Sequence, residues 1–326
     1  MKSYTNTSQL SVYRIGEAAR DFLKSGSQGR ILAVFSNAVY LDSIYDELLW
    51  LVTEKLPMHR RGIQIPGALP RVATDSSFSV RGQHLLLGAN IDLDMNPASI
   101  WVSPCPNLDK VLPFEELPDR LWAVSNLFDG YPSPKGFGWI LSEITKIRLG
   151  NPLLAALPNY GPALKHKWTA LNEIVLACIA NDFPKILRIA EALIGLGEGL
   201  TPSGDDFIGG LLFSGLVLRE IYPQYQGFTP SDVELFVDNS RGHTNLISYT
   251  ILKDLAAGHA SDTLHRFVNA VLTDQHLEST YYLGLELIRI GHSTGWDMLT
   301  GVWTGMLLSI CSRAAHSCSV PAFTSS

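Results

Sequence analysis

The chain lacks the signatures of several large classes of protein. Its four cysteines, at positions 105, 178, 311 and 318, form no C-x-x-C pair, so the sequence indicates neither a zinc site nor a disulfide framework. No apolar run approaches the roughly 20 residues that a membrane span needs. The polar start of the chain predicts no signal peptide. We therefore expect a cytoplasmic protein with reduced thiols that does not insert into a membrane.

Basic charge is also sparse. The chain has 25 Lys and Arg residues against 31 Asp and Glu residues, a net charge of −6, and no Lys/Arg run. This balance argues against nucleic acid as a partner, because nucleic-acid binding depends on clustered positive charge. The G-x-S-x-G, H-E-x-x-H and P-loop motifs are absent too. The chemistry must therefore be sought in less common patterns.

The 326 residues are enough for two domains, and the hydrophobic pattern changes once along the chain. Short alternating segments between about 12 and 103 predict β-strands in a small barrel or sandwich. The proline-rich stretch 103–120 is typical of a boundary, and helical periodicity follows it. We predict an α+β protein with a β-rich domain (1–110) and an all-helical domain (111–326). Helices are expected over 137–147 and 168–179, among others.

Residues 195–210, the glycine-rich segment, hold six glycines and the adjacent carboxylates Asp205 and Asp206. The pattern predicts a tight loop and then a helix starting at Ser203, with Ser203 as N-cap and Asp206 at the N3 position. Such a helix start presents N–H groups and partial positive charge, which suits an anionic ligand. The alternative is a capped helix without a ligand, although capping alone does not need so many glycines.

A shorter copy of this pattern occurs near the end of the chain. Ser203–Gly210 and Thr294–Gly301 both read [Ser/Thr]-Gly-x-Asp-apolar-apolar-x-Gly, offset by 91 positions. Each continues into an apolar helix with small residues one turn apart. Small residues let helix backbones approach closely, so we expect the two helices to pack side by side with their N-termini together. The alternative is two unrelated capping boxes.

The predicted site lies where these two helix starts meet. Asp206 and Asp297 are candidate catalytic residues, with His292 as the acid or base that titrates near neutral pH. The candidate substrate- or anion-binding residues are Gly197, Gly199, Thr201, Ser203, Gly204, Asp205, Ser293, Thr294 and Gly295.

The segment Arg241–Asn245 and the helix after it offer a possible extension of this site. Arg241, Thr244 and Ser248 could complete the pocket for a carboxylate. A plain polar loop with Thr244 as N-cap is an equally good reading. The isolated histidines His259, His265 and His276 show no metal-ligand spacing, and we expect them at the surface.

Three carboxylates close to an anion pose an electrostatic problem, because like charges repel. Either some of them cap their own helices, or a cation such as Mg²⁺ at Asp206 and Asp297 bridges them to the anion. No other cofactor is indicated. One aspartate could also be the base that takes a proton from a nitrogen nucleophile.

The two motifs together resemble a known bacterial family. Gly197-x-Gly-Leu-Thr-Pro-Ser-Gly-Asp-Asp206 and Gly291-His-Ser-Thr-Gly-x-Asp297 are similar to the motifs of the AllH-type subunit of oxamate carbamoyltransferase, from ureide (allantoin) degradation. Glu198 and Thr294 depart mildly from the family pattern. The resemblance implies carbamoyl transfer between oxalurate or oxamate and phosphate. It also implies a multi-subunit complex with an FdrA-like partner and a third subunit.

Two other hypotheses remain open at the level of the sequence. The chain could be a non-catalytic scaffold or binding subunit, in which the motifs only fix a helix–helix core. It could also be a Mg²⁺-dependent enzyme acting on a small phosphorylated metabolite.

Overall fold

The computed structural model describes residues 8–24, 26–45, 47–128, 131, 135–141, 169–170, 173–174, 177, 182–225, 227–273 and 276–317. Its contacts divide the chain into two compact units. The first comprises Met1–Pro104 and His259–His265, and the second comprises Cys105–Gly258 and Arg266–Ser326. Among the described residues, no helix is long and apolar enough to cross a membrane.

The first unit contains a mixed ten-stranded sheet with the order β1-β9-β8-β7-β3-β4-β5-β6-β2-β10. Its strands are β1 (Ser8–Ser11), β2 (Arg14–Gly16), β3 (Gln28–Val34), β4 (Ala38–Ser43), β5 (Leu48–Thr53), β6 (Gly62–Ile65), β7 (Ser77–Arg81), β8 (His84–Leu87), β9 (Ile91–Asp94) and β10 (Ser99–Trp101). One helix, α1 (Glu17–Phe22), follows β2. The β-rich prediction is confirmed.

The sheet forms a half-barrel. Strands β1 and β2 follow each other closely in sequence, yet they lie near opposite ends of the strand order. Strand β1 pairs in parallel with β9, whereas β2, three residues further on, pairs with β6 and β10. Alternate residues point inward and form an apolar core that includes Ile31, Leu41, Leu51, Ile63 and Leu85. Alternation of this kind is the reason that the strands could be predicted from sequence.

The second unit is helical, which confirms the α+β class. Its helices are α2 (Leu117–Asn126), α3 (Phe183–Glu191), α4 (Ser203–Ile221), α5 (Pro230–Ser240), α6 (Leu246–Ala256), α8 (Leu277–Ile288) and α9 (Thr294–Ser317), and α7 (Asp262–Leu272) begins in residues of the first unit. Where a helix was predicted over 137–147, the described part is a 3₁₀ turn, Gly136–Ile140. The rest of that helix and most of the one over 168–179 lie outside the described residues.

Helices α4 and α9 pack side by side and in parallel, through small residues. A Cβ on Gly210 would lie 2.4 Å from the Met298 carbonyl oxygen, and a Cβ on Gly301 would lie 1.9 Å from that of Phe207. These separations are far below van der Waals contact, so only glycine fits at either position. The close approach brings the N-termini of both helices to the same end.

Candidate functional site

Hydroxyl groups connect the two helix starts. The Oγ1 atoms of Thr201 and Thr294 are 2.8 Å apart, and the Oγ atoms of Ser203 and Ser293 are 3.4 Å apart. All four residues were predicted to share one site. The structure brings them together, with Ser203 buried and the other three half-buried.

The start of α4 differs by one residue from the predicted capping arrangement. The carbonyl of Pro202 accepts from the N–H groups of Asp205, at 3.0 Å, and Asp206, at 3.2 Å, so Pro202 is the N-cap residue. The prediction of Ser203 as N-cap and Asp206 at N3 is therefore wrong. Asp205 occupies N3 and Asp206 occupies N4. Asp297 also lies at N4, because α9 begins at Thr294.

Asp205 links the glycine-rich segment to the start of α6 by hydrogen bonds. Its carboxylate is 2 % exposed and accepts from the Gly195 amide at 2.6 Å and the Ser248 hydroxyl at 2.5 Å. The Thr244 hydroxyl donates to the same carboxylate. The hydroxyls of Thr244 and Ser248, predicted to line a carboxylate pocket, are thus engaged by Asp205. We regard this cluster as a support for the helix starts.

Asn245, and not Thr244, caps helix α6. Its side-chain oxygen accepts from the amides of Ile247 and Ser248 at 3.0 and 3.1 Å. Its side-chain nitrogen donates to the Leu200 carbonyl at 2.7 Å. One side chain therefore caps a helix and also binds the exposed loop of the glycine-rich segment at Leu200.

Asp206 is the most unusual group in the site. It is 1 % exposed, and neither carboxyl oxygen has a hydrogen-bond partner in the described part of the chain. Burial raises its pKa well above the usual range and the charge of Asp297 raises it further, while the nearby hydroxyls of Thr201 and Thr294 lower it in part. Those hydroxyls are close, but neither completes a hydrogen bond to it. The neutral acid is consequently favoured over a wide pH range.

Asp297, the counterpart of Asp206 on α9, has a different environment. It is fully buried, and its Oδ1 accepts from the Phe137 amide at 2.5 Å. Gly136 has φ +52°, and a Cβ there would fall 2.1 Å from the same oxygen. The Phe137 ring stacks on Phe207 of α4 with centroids 5.0 Å apart. The turn Gly136–Ile140 thus packs directly onto the carboxylate.

The glycines of the two motifs fall into two groups. The Gly204 amide donates to the Leu196 carbonyl at 2.9 Å, and the Gly295 amide donates to that of Ile290 at 3.0 Å. These two amides already donate within the fold, and whether either residue contacts a ligand stays a prediction. Gly197 and Gly199 are exposed and have φ of +132° and +94°, values that favour glycine.

Basic groups occur at the edge of the site. His292 is exposed, and its Nδ1 lies 3.5 Å from the Nζ of Lys135. Arg241 is exposed and lies over the Tyr249 ring, 5.9 Å from its centroid. Sequence reasoning did not place Lys135 and Phe137 at the site, because they contact the second motif across about half the chain.

The isolated histidines were expected at the surface, and for His265 this is wrong. It is 7 % exposed, and its Nε2 accepts from the Ala260 amide at 3.1 Å. Burial lowers the pKa of His265 to about 4, with a smaller contribution from His259. The residue is a neutral acceptor in the first unit.

The described residues contain no group of three or more His, Cys, Asp or Glu side chains that could hold a metal ion. Within the ranges that the structure describes, Asp206 and Asp297, the predicted Mg²⁺ ligands, belong to no such group of three. Hydroxyl or carbonyl oxygens would have to complete the coordination that Mg²⁺ requires.

Fold and site together define an α+β protein whose helical unit buries two aspartates at adjacent, parallel helix starts. Residues 193–306 match the family model described as oxamate carbamoyltransferase subunit AllH. The match covers both motifs and confirms the predicted resemblance to an AllH-type family over this part of the chain. No solved structure gives a significant match to the chain.

Proposed function

We propose that this chain works as a subunit of an oxamate carbamoyltransferase and binds an anionic substrate at the paired helix starts. Toward phosphate, the reaction converts oxalurate into oxamate and carbamoyl phosphate. The bond from the carbamoyl carbon to the oxamate nitrogen breaks, a phosphate oxygen bonds to that carbon, and the nitrogen takes up a proton. The observation that carries the proposal is the parallel packing of α4 and α9, which gathers two helix N-termini and four hydroxyls.

The charges around the helix starts are compatible with an anion. Three donors surround Asp205, the Phe137 amide donates to Asp297, and Asp206 favours its neutral form. Each helix start adds roughly half a positive charge. The expected repulsion between carboxylates and substrate is therefore reduced without a metal. A Mg²⁺ ion at Asp206 and Asp297 is the other way to offset it.

The proposed roles follow from this arrangement. The hydroxyls of Thr201, Ser203, Ser293 and Thr294 and the exposed Gly197 and Gly199 backbone would bind the oxygens of phosphate or carboxylate. Asp206 and Asp297 would hold and move the proton of the reacting nitrogen. His292 at the rim is a second acid or base. An FdrA-like partner would complete the enzyme, as the family resemblance implies.

The burial of Asp205, Asp206 and Asp297 also favours a second candidate function, that of a scaffold subunit without a ligand site. Asp205 and Asp297 are engaged in hydrogen bonds within the fold, and Thr201 and Thr294 bond to each other. Such contacts would be useful even if partner chains performed all the chemistry.

Ligand binding by the purified chain separates these candidates. We would measure thermal shift and titration calorimetry with phosphate, carbamoyl phosphate and oxamate, each with and without Mg²⁺. The transferase proposal expects binding that Thr294→Val weakens about tenfold or more, since a hydrogen bond to a charged group contributes about 1.5–3 kcal/mol. Thr304→Val removes a buried hydroxyl that bonds within the same helix and serves as the matched control.

Absence of binding by the folded chain to every one of these ligands would favour the scaffold. Binding that requires Mg²⁺, and that Asp206→Asn together with Asp297→Asn abolishes, would favour the metal-dependent reading. The same variants would then be assayed for carbamoyl transfer in complex with an FdrA-like partner.

A further inference from the structure

Helices α4 and α9 are related by an approximate twofold axis. Gly210 of α4 approaches Met298 and Val302 of α9, and Gly301 of α9 approaches Phe207 and Leu211 of α4. The pairs Gly210 and Gly301, Phe207 and Met298, and Leu211 and Val302 are each separated by 91 positions. Contacts that repeat with exchanged roles are the mark of an isologous interface. Asp206 and Asp297 are therefore equivalent positions in two related environments.

The two aspartates nevertheless differ in their partners. The Phe137 amide donates to Asp297, whereas no described residue donates to or accepts from Asp206. Leaving a buried polar group without a hydrogen bond is unfavourable, and native proteins keep few such groups. Among the described residues, an amide N–H occupies this place at the Asp297 carboxylate, and no such donor reaches the Asp206 carboxyl.

We infer that the Asp206 carboxyl binds the primary amide of a small substrate whose anionic end lies at the paired helix starts. The inference rests on the proposed function, under which oxamate is that substrate. A neutral carboxyl has one O–H donor and one carbonyl acceptor, and a primary amide offers a matching acceptor and N–H donor. Two hydrogen bonds can therefore form side by side. A methyl group in place of the NH₂ would leave the acceptor unsatisfied.

Oxamate and pyruvate provide a direct test, because they share size and carboxylate and differ by NH₂ in place of CH₃ on the neighbouring carbonyl carbon. We would measure the affinity of the full chain for both by titration calorimetry. A site built around the amide should prefer oxamate by about tenfold or more, since a polar site discriminates strongly against an analogue that lacks its partner.

Two variants show whether Asp206 is responsible. Asp206→Leu removes both hydrogen-bonding atoms and should bring the ratio of the two affinities close to one. Asp206→Asn keeps a donor and an acceptor and should preserve the preference, a rescue that a purely structural role does not predict. Glu234→Gln, a change at an exposed position on α5, controls for loss of a carboxylate elsewhere.

The possible failures are distinguishable. Equal affinity of the wild-type chain for oxamate and pyruvate would overturn the inference and leave the anion site standing. A preference that survives in Asp206→Leu would overturn it as well. If the folded chain bound neither compound and no phosphate, both the inference and the proposed binding site would be wrong.

Discussion

The hydroxyl of Thr201 lies 2.8 Å from that of Thr294, and this hydrogen bond joins the starts of two helices across 93 positions of sequence. Thr201 lies in the glycine-rich segment two residues before α4, and Thr294 is the first residue of α9. The relationship makes the two motifs parts of one structure. Perturbing either motif should therefore affect the other.

Replacing Gly301 with alanine should destabilise the helical unit. The new Cβ would lie 1.9 Å from the Phe207 carbonyl oxygen, so α4 and α9 would have to separate. Overpacking of this kind costs about 1–3 kcal/mol, and rigid backbone leaves little relief. The matched control is Gly242→Ala, where nothing lies within 4 Å of a new Cβ. Chemical unfolding of both variants is the measurement, and equal stability would contradict the predicted helix contact.

Asp205→Asn should destabilise the chain by about 2–4 kcal/mol, because it breaks a buried, charged hydrogen-bond cluster. Three donors face this carboxylate, from Gly195, Thr244 and Ser248. Asp232→Asn is the comparison, since Asp232 also accepts a hydroxyl, from Thr229, but in an exposed setting. A double-mutant cycle with Ser248→Ala would measure the coupling. Additive effects of the two changes would argue against the cluster.

Asp206→Asn should raise the thermal stability at neutral pH. The pKa of Asp206 is raised in the folded chain, so folding is penalised as pH rises from the unfolded value near 3.8 through the folded pKa. The advantage of the variant should be small near pH 4 and grow toward pH 7.5. We expect a gain of about 2–8 °C in melting temperature, equivalent to about 1–2 kcal/mol. A melting temperature that falls at pH 7.5 would contradict this.

Acid should weaken the first unit through His265. Its folded pKa of about 4 lies below the ordinary 6.5, so its contribution is fully present above about pH 6.5 and is lost as pH falls toward 4. The loss should reach about 3 kcal/mol. His265→Gln, which keeps an acceptor for the Ala260 amide, should remove this part of the pH dependence. Denaturant unfolding at pH 7 and pH 4.5 measures it, and parallel pH profiles would refute the prediction.

Much of the fold was predictable because it is encoded locally. The β-strands of the first unit were predicted between about 12 and 103, since the alternation seen in β7 and β8 and the turn residues between strands act over a few positions. The repeated motif also predicted that the two helices would pack through glycine. The error at Ser203 is equally local. A proline carbonyl can begin the helix one residue earlier, and residue preferences alone do not separate the two arrangements.

The sequence by itself determined the fold class, the paired motifs and the family that residues 193–306 resemble. Only the tertiary structure decided which hydrogen-bond partners each of the three aspartates has. Asp205 faces Thr244 and Ser248, Asp297 accepts from the Phe137 amide 160 positions away, and Asp206 accepts from no described residue. The physical reason is that a carboxyl group's protonation and partners depend on burial and on distant neighbours. Those neighbours come together only when the chain folds.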